Sequence, residues 1–289
     1  MRRRRPVDLA TGDVLMTQLD LALPGVLALL LSRTHQSSYR TGRLFGASWA
    51  STLDQRLEID AEGVVFVGED GLLLTYPAPA DEPVLPAEGP RWPLHRTATG
   101  HVLDDIDSGL HLAFAENGEL TTIADHIGHR VEFDRDGDGN LVRLRHSGGY
   151  VVDIDTADGL VTGLSVAGEP VARYGYDEHQ NLVEVADPEG RAYRFAYDAD
   201  GRLIRWDRPQ RPLLPLPLRQ RRPLRRREGD DGLLNAVFEY GDLVTTMTNS
   251  LGEATTYHFN DALQLVKVVD PLGGETVSRM GSARPAARP

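Results

Sequence analysis

Several groups of side chains in this 289-residue chain have the types and spacing that chemistry requires. Asp134-Arg135-Asp136-Gly137-Asp138-Gly139 matches the first half of a calcium loop. Such a loop places a bidentate Glu at its twelfth position, and that position here is the cation Arg145. The flanking residues read as strand, so the segment is expected to be a turn. His126 and His129 lie beside Asp125, but zinc wants three or four well-placed donors. An Asp-x-x-Gly turn is the simpler reading. Asp104-Asp105-Ile106-Asp107 gathers carboxylates. These do acid–base work only where a cleft drives their pKa values apart, and a solvated turn is expected instead. Ser32, Ser48 and Ser51 sit in no nucleophile elbow, and no Gly-rich phosphate loop follows a strand and opens a helix. The expectation is no catalytic residue, no cofactor and no metal.

What positions these residues is a repeat. Aromatic or aliphatic anchors fall at Phe133, Ile154, Tyr176, Tyr197, Tyr240 and Phe259, with steps of 21, 22 and 21 residues, then 43, which is two steps with one anchor missing. A second marker, Asp or Asn followed three residues later by Gly, sits at Asp125/Gly128, Asp187/Gly190, Asn249/Gly252 and Asp270/Gly273. Self-similarity at a fixed period means one supersecondary unit stacked many times. Each unit reads as two strands and two turns. Tyr193, Phe195 and Tyr197 alternate with Ala192, Arg194 and Ala196, the period-2 pattern of a strand with one aromatic face. Asp198 to Gly201 reads as a tight turn, and Leu203 to Trp206 as the return strand. The aromatics Tyr193, Phe195, Tyr197, Tyr257 and Phe259 could form a carbohydrate or peptide platform, but their spacing is simpler as a packed sheet face.

With Tyr176-Asp177 leading to Asn181-Leu182, and Tyr197-Asp198 leading to Gly201-Arg202-Leu203, the chain resembles the RHS or YD-repeat family. The segment before the repeats also resembles bacterial members, through Pro6 to Asp13, Ser32 to Tyr39 and Leu44 to Trp49. The resemblance implies a long β-ribbon coiling into a hollow shell around a C-terminal toxin, secreted or displayed at the cell surface in bacterial competition. It implies further repeat chain or toxin cargo as partners.

Composition fits that reading. Twenty-nine Gly and 18 Pro suit a turn-dense β protein, and the net charge of −12 argues against general nucleic-acid affinity. Without cysteine there is no disulfide framework. Leu21 to Leu31 is apolar but short, and Pro24-Gly25 interrupts it, so two strands around a turn are expected in place of a membrane span. The basic start is followed by Asp8, Asp13 and Asp20, so no signal peptide is expected.

The expected fold is all-β: tandem β-hairpin repeats forming a long, coiled antiparallel sheet. Residues 1–6 read as a basic tail, 7–120 as a β leader, 121–278 as the repeats and 279–289 as an irregular tail. Within the repeats, 208–227 carries five prolines, many arginines and no acid. Ladder-breaking prolines stand where a strand is due, and a local reading-frame shift in the gene would explain both this segment and the tail. The expected role is structural and non-catalytic, in a truncated shell fragment whose exposed edges favour self-association. The alternative is an adhesin-like β module that binds carbohydrate or protein.

Overall fold

A computed structural model describes residues 15–207, 235–241, 244–249, 252–259 and 265–277. The tails 1–6 and 279–289 and the out-of-register segment 208–227 lie outside the described residues.

Alternating apolar residues and frequent turn signals produce strands almost throughout. The strands β1 (Leu15–Leu23), β2 (Leu29–Gln36) and β3 (Trp49–Ser51) form one antiparallel sheet, and β4 (Arg56–Ile59), β5 (Val64–Val67) and β6 (Leu73–Tyr76) a second. β1 and β2 are the hairpin expected around Pro24-Gly25, closing at Leu23 opposite Leu29. All later strands belong to one meandering sheet, from β7 (Leu94–Thr97) to β23 (Glu275–Val277). It begins ahead of residue 121, where the repeats are expected to start. Each strand pairs antiparallel with its sequence neighbours. Closing a barrel would need a ladder between β7 and β23; none exists among the described residues, so the sheet is an open ribbon.

The turns repeat one design. At Asp177 the backbone N–H donates to Asn181 O and the carbonyl accepts from Gln180 N, both at 3.0 Å. Asp125, Asp136, Asp187, Asp198 and Asp270 do the same. The Asp carboxylate then collects the loop's remaining donors. Asp177 Oδ1 accepts from His179 N and Asn181 N, and Asp198 Oδ1 from Asp200 N and Arg202 N. This is why Asp holds the position: its short side chain satisfies N–H groups that the ladder has abandoned. The fourth turn residue is left-handed, so Gly is favoured there. Gly201 has φ of 72°, whereas Gln180 occupies the same place at 61°.

Five return strands of the repeats carry one extra residue. Between β15 (Glu169–Tyr176) and β16 (Leu182–Ala186) the register jumps from Gly175↔Glu184 to Tyr176↔Leu182, leaving Val183 unopposed. Between β17 (Ala192–Tyr197) and β18 (Leu203–Asp207) it jumps from Ala196↔Arg205 to Tyr197↔Leu203, leaving Ile204. Val142, Thr162 and Val266 are the counterparts elsewhere. A bulge reverses the alternation of faces and bends the strand. Leu182 and Val185, three apart, therefore both point inward, as do Leu203 and Trp206. The pair β19 (Asn235–Gly241) and β20 (Val244–Asn249) has no such shift. The ladder passes directly from β18 to β19, with Asp207 opposite Asn235.

One face of the long sheet is apolar and packs, with the leader strands, into a single core containing Leu141, Leu144, Leu182, Leu203 and Trp206. Truncating a Leu buried this completely costs about 2–5 kcal/mol. The opposite face carries charge, including Arg145 on Asp134, Arg143 on Asp153 and Arg194 on Glu184.

The turn geometry predicts opposite outcomes for two exchanges. Gln180→Gly relieves a left-handed side chain and should raise stability by about 1 kcal/mol. Gly201→Gln should lower it by a similar amount, even though no atom lies within 4 Å of where its Cβ would stand. Urea titration of each variant reads both signs.

Candidate functional site

The densest convergence of functional groups is the seam where the leader meets the repeat sheet. Arg33, on β2, is 1% exposed. Its Nε donates to Asp20 Oδ2 at 2.5 Å, and one Nη to Asp20 Oδ1 at 2.8 Å and Gln18 Oε1 at 2.9 Å. Around the guanidinium stand the rings of Trp49, Tyr174 and Phe45, at 4.9, 5.2 and 5.4 Å. Burial works against the charge and Asp20 outweighs it, so Arg33 holds its proton more tightly than usual. Tyr174, on β15, donates its hydroxyl to Asp20 Oδ2 at 2.9 Å. One buried ion pair thus joins leader to repeats.

The repeat tyrosines continue the seam. Tyr176 donates its hydroxyl to Val161 O at 2.6 Å, and Tyr197 to Leu182 O at 2.9 Å. Each acceptor lies fifteen residues back, immediately before the extra residue of the preceding repeat's bulge. Tyr197 Oη also accepts from Trp49 Nε1 at 2.9 Å, and the Trp49 ring packs edge-on against Phe195 at 5.3 Å. Burial pushes both tyrosine hydroxyls to higher pKa, which suits neutral donors. Tyr193 and Tyr197 pack against the core and Phe195 lies within it, so this aromatic face is an inner one.

Beside the seam, a cavity of about 300 Å³ lies between the leader loop and the turns of the repeats. Its walls include Arg43, Asp54, Arg56, Glu119, Arg135 and Asn140. Asp54 accepts from Arg43 N at 2.7 Å and Arg56 Nη1 at 3.3 Å. Burial pushes its carboxyl up to about 6, against the pull of Arg56. Arg56 also reaches Glu58 and Thr41 O, and Arg135 pairs with Glu119. These charges are matched in pairs and brace the loop.

Several of the groups that sequence singles out as chemical candidates acquire a local partner. Arg145, at the twelfth position of the calcium-like segment, forms a bidentate pair with Asp134 at 2.7 Å for both bonds. Asp136 caps its own turn through Asn140. Asp125 accepts from Ile127 N, Gly128 N and His129 N, and His129 Nδ1 lies 2.7 Å from its other oxygen. That imidazole contact and the amides hold the Asp125 carboxyl down at about 2, while His126 is exposed. The turns at Asp187/Gly190 and Asp270/Gly273 follow the common design, with Gly190 at φ of 77° and Gly273 at 82°. Asn249 ends β20 and Gly252 has φ of 78°. Phe133 is in the core, and Tyr240 and Phe259 lie on strands.

Asp104 differs from expectation. It lies in strand β8 (Gly100–Asp105), not in a turn, because the ladder with β9 (Leu110–Ala115) continues through it. Its two oxygens lie 2.6 Å from His95 Nε2 and His111 Nδ1, respectively. Three strands supply this trio, so no local spacing could reveal it. The carboxylate stands between the imidazoles. No group of three or more His, Cys, Asp or Glu among the described residues is arranged to hold a metal ion. Asp105 does cap the following turn, through Asp107 N and Ser108.

A family model described as RHS Repeat matches residues 176–205, and one described as a domain of unknown function, DUF6531, matches residues 4–76. Probable deoxyribonuclease RhsB of Dickeya dadantii is 27% identical over 290 residues, covering 94% of this chain and 20% of that protein. Double-stranded DNA deaminase toxin A of Burkholderia cenocepacia is 25% identical over 211 residues, covering 66% of this chain and 15% of that protein. The tRNA nuclease WapA of Bacillus subtilis is 24% identical over 197 residues, covering 68% and 8%. The chain spans a fifth or less of the length of these relatives. Among solved structures, TcdB2-TccC3 without its hypervariable C-terminal region overlaps 89% of this chain and 14% of that one, at 15% identity and a TM-score of 0.35.

Two outcomes follow from the seam. Arg33→Met strands Asp20 without its cation and should cost about 3–5 kcal/mol, with part regained when Asp20→Asn is added; denaturant unfolding of the single and double variants measures both. Asp54 carries the opposite pH signature to the turn carboxylates. Its proton-linked contribution is fully present below about 3.8, its ordinary value, and is lost as pH rises through about 6. The carboxyls of Asp177, Asp187 and Asp198 are partly desolvated, but donors four residues on prevail and set them below the ordinary range. Their contribution is lost only as pH falls through those depressed values. Asp54→Asn should therefore flatten the stability profile between about pH 4 and about pH 6 and leave the acid limb below it unchanged, as read by thermal melts across pH.

Proposed function

We propose that this chain, which belongs to the RHS/YD-repeat family, forms part of the wall of a β-coil that encloses and delivers a toxin in bacterial competition, without performing a chemical step itself. The observation that carries this reading is the tyrosine hand-over. Tyr176 and Tyr197 each donate to the carbonyl at the bulge of the repeat before. A unit completed only by its successor makes a wall that extends by adding units. A strand pair cannot bury its apolar face alone, so neighbours and the leader must supply the cover.

In this reading Phe133, Tyr176, Asp177, Tyr197, Asp198, Gly201, Tyr240 and Phe259 are structural anchors. Asp125/Gly128, Asp187/Gly190, Asn249/Gly252 and Asp270/Gly273 are the repeat turns. Residues 7–120 are the leader, whose strands β1 to β6 cover the apolar face, and 121–278 the repeats. The partners are toxin cargo and further repeat chain, and the place of action is outside the cell or at its surface. No helix among the described residues is long and apolar enough to cross a membrane. In this reading the nucleic-acid chemistry in the relatives' names belongs to parts this chain does not cover.

Protease protection tests the proposal, using the protein as its gene encodes it. The toxin region should resist trypsin in the intact protein. It should be cut at least about tenfold faster when Trp49→Ala and Tyr197→Phe together break the seam, a combined loss of several kcal/mol. Equal cleavage rates would overturn enclosure. Deaminase or nuclease activity in the isolated 289-residue chain would overturn the non-catalytic part.

A further inference from the structure

The jump in register gives the repeats a common reference point. In the five bulged repeats the first residue beyond it on the outgoing strand is Arg135, Thr156, Tyr176, Tyr197 and Phe259. The ladder thus equates Tyr176 and Tyr197 with Thr156, not with Ile154 two residues earlier. Both tyrosines lie between the preceding bulge and the leader. Tyr176 donates to Val161 O at 2.6 Å, and its hydroxyl lies 3.4 Å from Leu44 O. Tyr197 donates to Leu182 O at 2.9 Å and accepts from Trp49 Nε1. Fifteen residues back from Thr156 is Leu141, the counterpart of Val161 and Leu182. Threonine has no ring to lay over that bulge. Thr156 and Leu141 both line the cavity of about 300 Å³ beside the seam. The cavity is therefore the third ring slot of the row, formed because the side chain at position 156 is short.

We propose that this slot binds a small aryl carboxylate, its ring against Leu44 and Thr156 and its carboxylate on Arg43 and Arg135. Size suits the ring: a cavity of about 150 Å³ already holds benzene, so the volume here takes a ring and a short acidic arm. Charge suits the carboxylate. Of the charged residues lining the cavity, Arg43, Arg56 and Arg135 are cations, and Asp54 and Glu119 are acids.

Two of these cations have capacity for a ligand. Arg56 is engaged with Asp54, Glu58 and Thr41 O. Arg43 makes one side-chain contact, Nη2 to Glu58 Oε1 at 3.1 Å, between two exposed side chains. Arg56 holds that same oxygen more closely, at 2.7 Å. An exposed pair of this kind contributes little in water, so Arg43 is free to turn. A guanidinium has five N–H donors. Arg135 commits two of them, from Nη1 to Gly139 O at 3.0 Å and from Nη2 to Glu119. Its Nε has no partner. The two acids are already matched, Glu119 by Arg135 and Asp54 by Arg56 and the Arg43 amide. The site does not depend on what the coil encloses.

Saturation-transfer NMR on the 289-residue chain tests it, with phenylacetate as the probe. Phenylacetate should bind with a Kd of roughly 1 mM, the strength available to about ten heavy atoms. Acetate lacks the ring and benzyl alcohol lacks the charge, and each should bind at least about tenfold more weakly. Arg43→Ala, at an exposed side chain, should weaken phenylacetate about tenfold and leave benzyl alcohol unchanged. Thr156→Tyr supplies the ring from the chain itself and should abolish the phenylacetate signal. Should that variant fail to fold, Arg43→Ala decides alone. No signal from the wild type at about 10 mM, roughly ten times the expected Kd, overturns the site, as does full-strength binding in either folded variant. Equal binding of acetate or benzyl alcohol overturns the class of ligand.

Discussion

The rest of this structure depends on a single recurring constraint: a return strand with one residue more than its partner. An extra residue in an antiparallel pair leaves a carbonyl outside the ladder and turns the following side chains over. Both consequences are used. The inversion brings Leu182 and Val185, or Leu203 and Trp206, to the same face despite a spacing of three. The carbonyl before the extra residue becomes the acceptor for a tyrosine of the next repeat. Without the bulge the tyrosine would lose this acceptor, and without the tyrosine the bulge would leave a poorly satisfied buried group. The Asp turn closes the same hairpin, taking up the N–H groups that the tight loop releases.

The leader solves the problem that the repeats create. A bent ribbon with one apolar face cannot stay in water uncovered. Here β1 to β6 supply the cover and share one core with the repeats. Polar fixings place them: Arg33 and Asp20 with Tyr174, Trp49 with Tyr197, and His146 with Leu27. Apolar burial supplies most of the stabilisation, since single hydrogen bonds contribute about 1 kcal/mol each. The directional bonds select which turn meets which loop. The cation–aromatic setting of Arg33 fits this division, because a guanidinium stacked among rings and paired with a carboxylate tolerates burial that a lone charge would not.

The apparent chemical motifs have a common explanation. Hairpin turns need carboxylates to gather amides, and ladders on a solvated face need opposite charges across strands. Both demands concentrate Asp, Arg and His at short spacing. The calcium-like run 134–139 is one such product, with Asp134 serving a cross-strand pair and Asp136 a turn. The His-Asp pair at Asp125 and His129 is another.

The all-β ribbon, its period and the identity of its turn residues were legible in the sequence, because each is a local matter. Alternation at Tyr193, Phe195 and Tyr197 declares a strand, and Asp with Gly three residues later declares a turn. The Tyr-Asp dipeptide marked the repeat although its sequence does not say why tyrosine is chosen. That reason is tertiary: the hydroxyl reaches a carbonyl fifteen residues back, across a bulge that no two-residue pattern announces. Tertiary structure alone also set Asp104 between two histidines of flanking strands, buried Arg33 among three rings, and brought His146 to Leu27 across 119 residues. A chain determines its local geometry through neighbouring backbone and side chains. Which distant groups meet is decided only once the bends of successive bulges have accumulated.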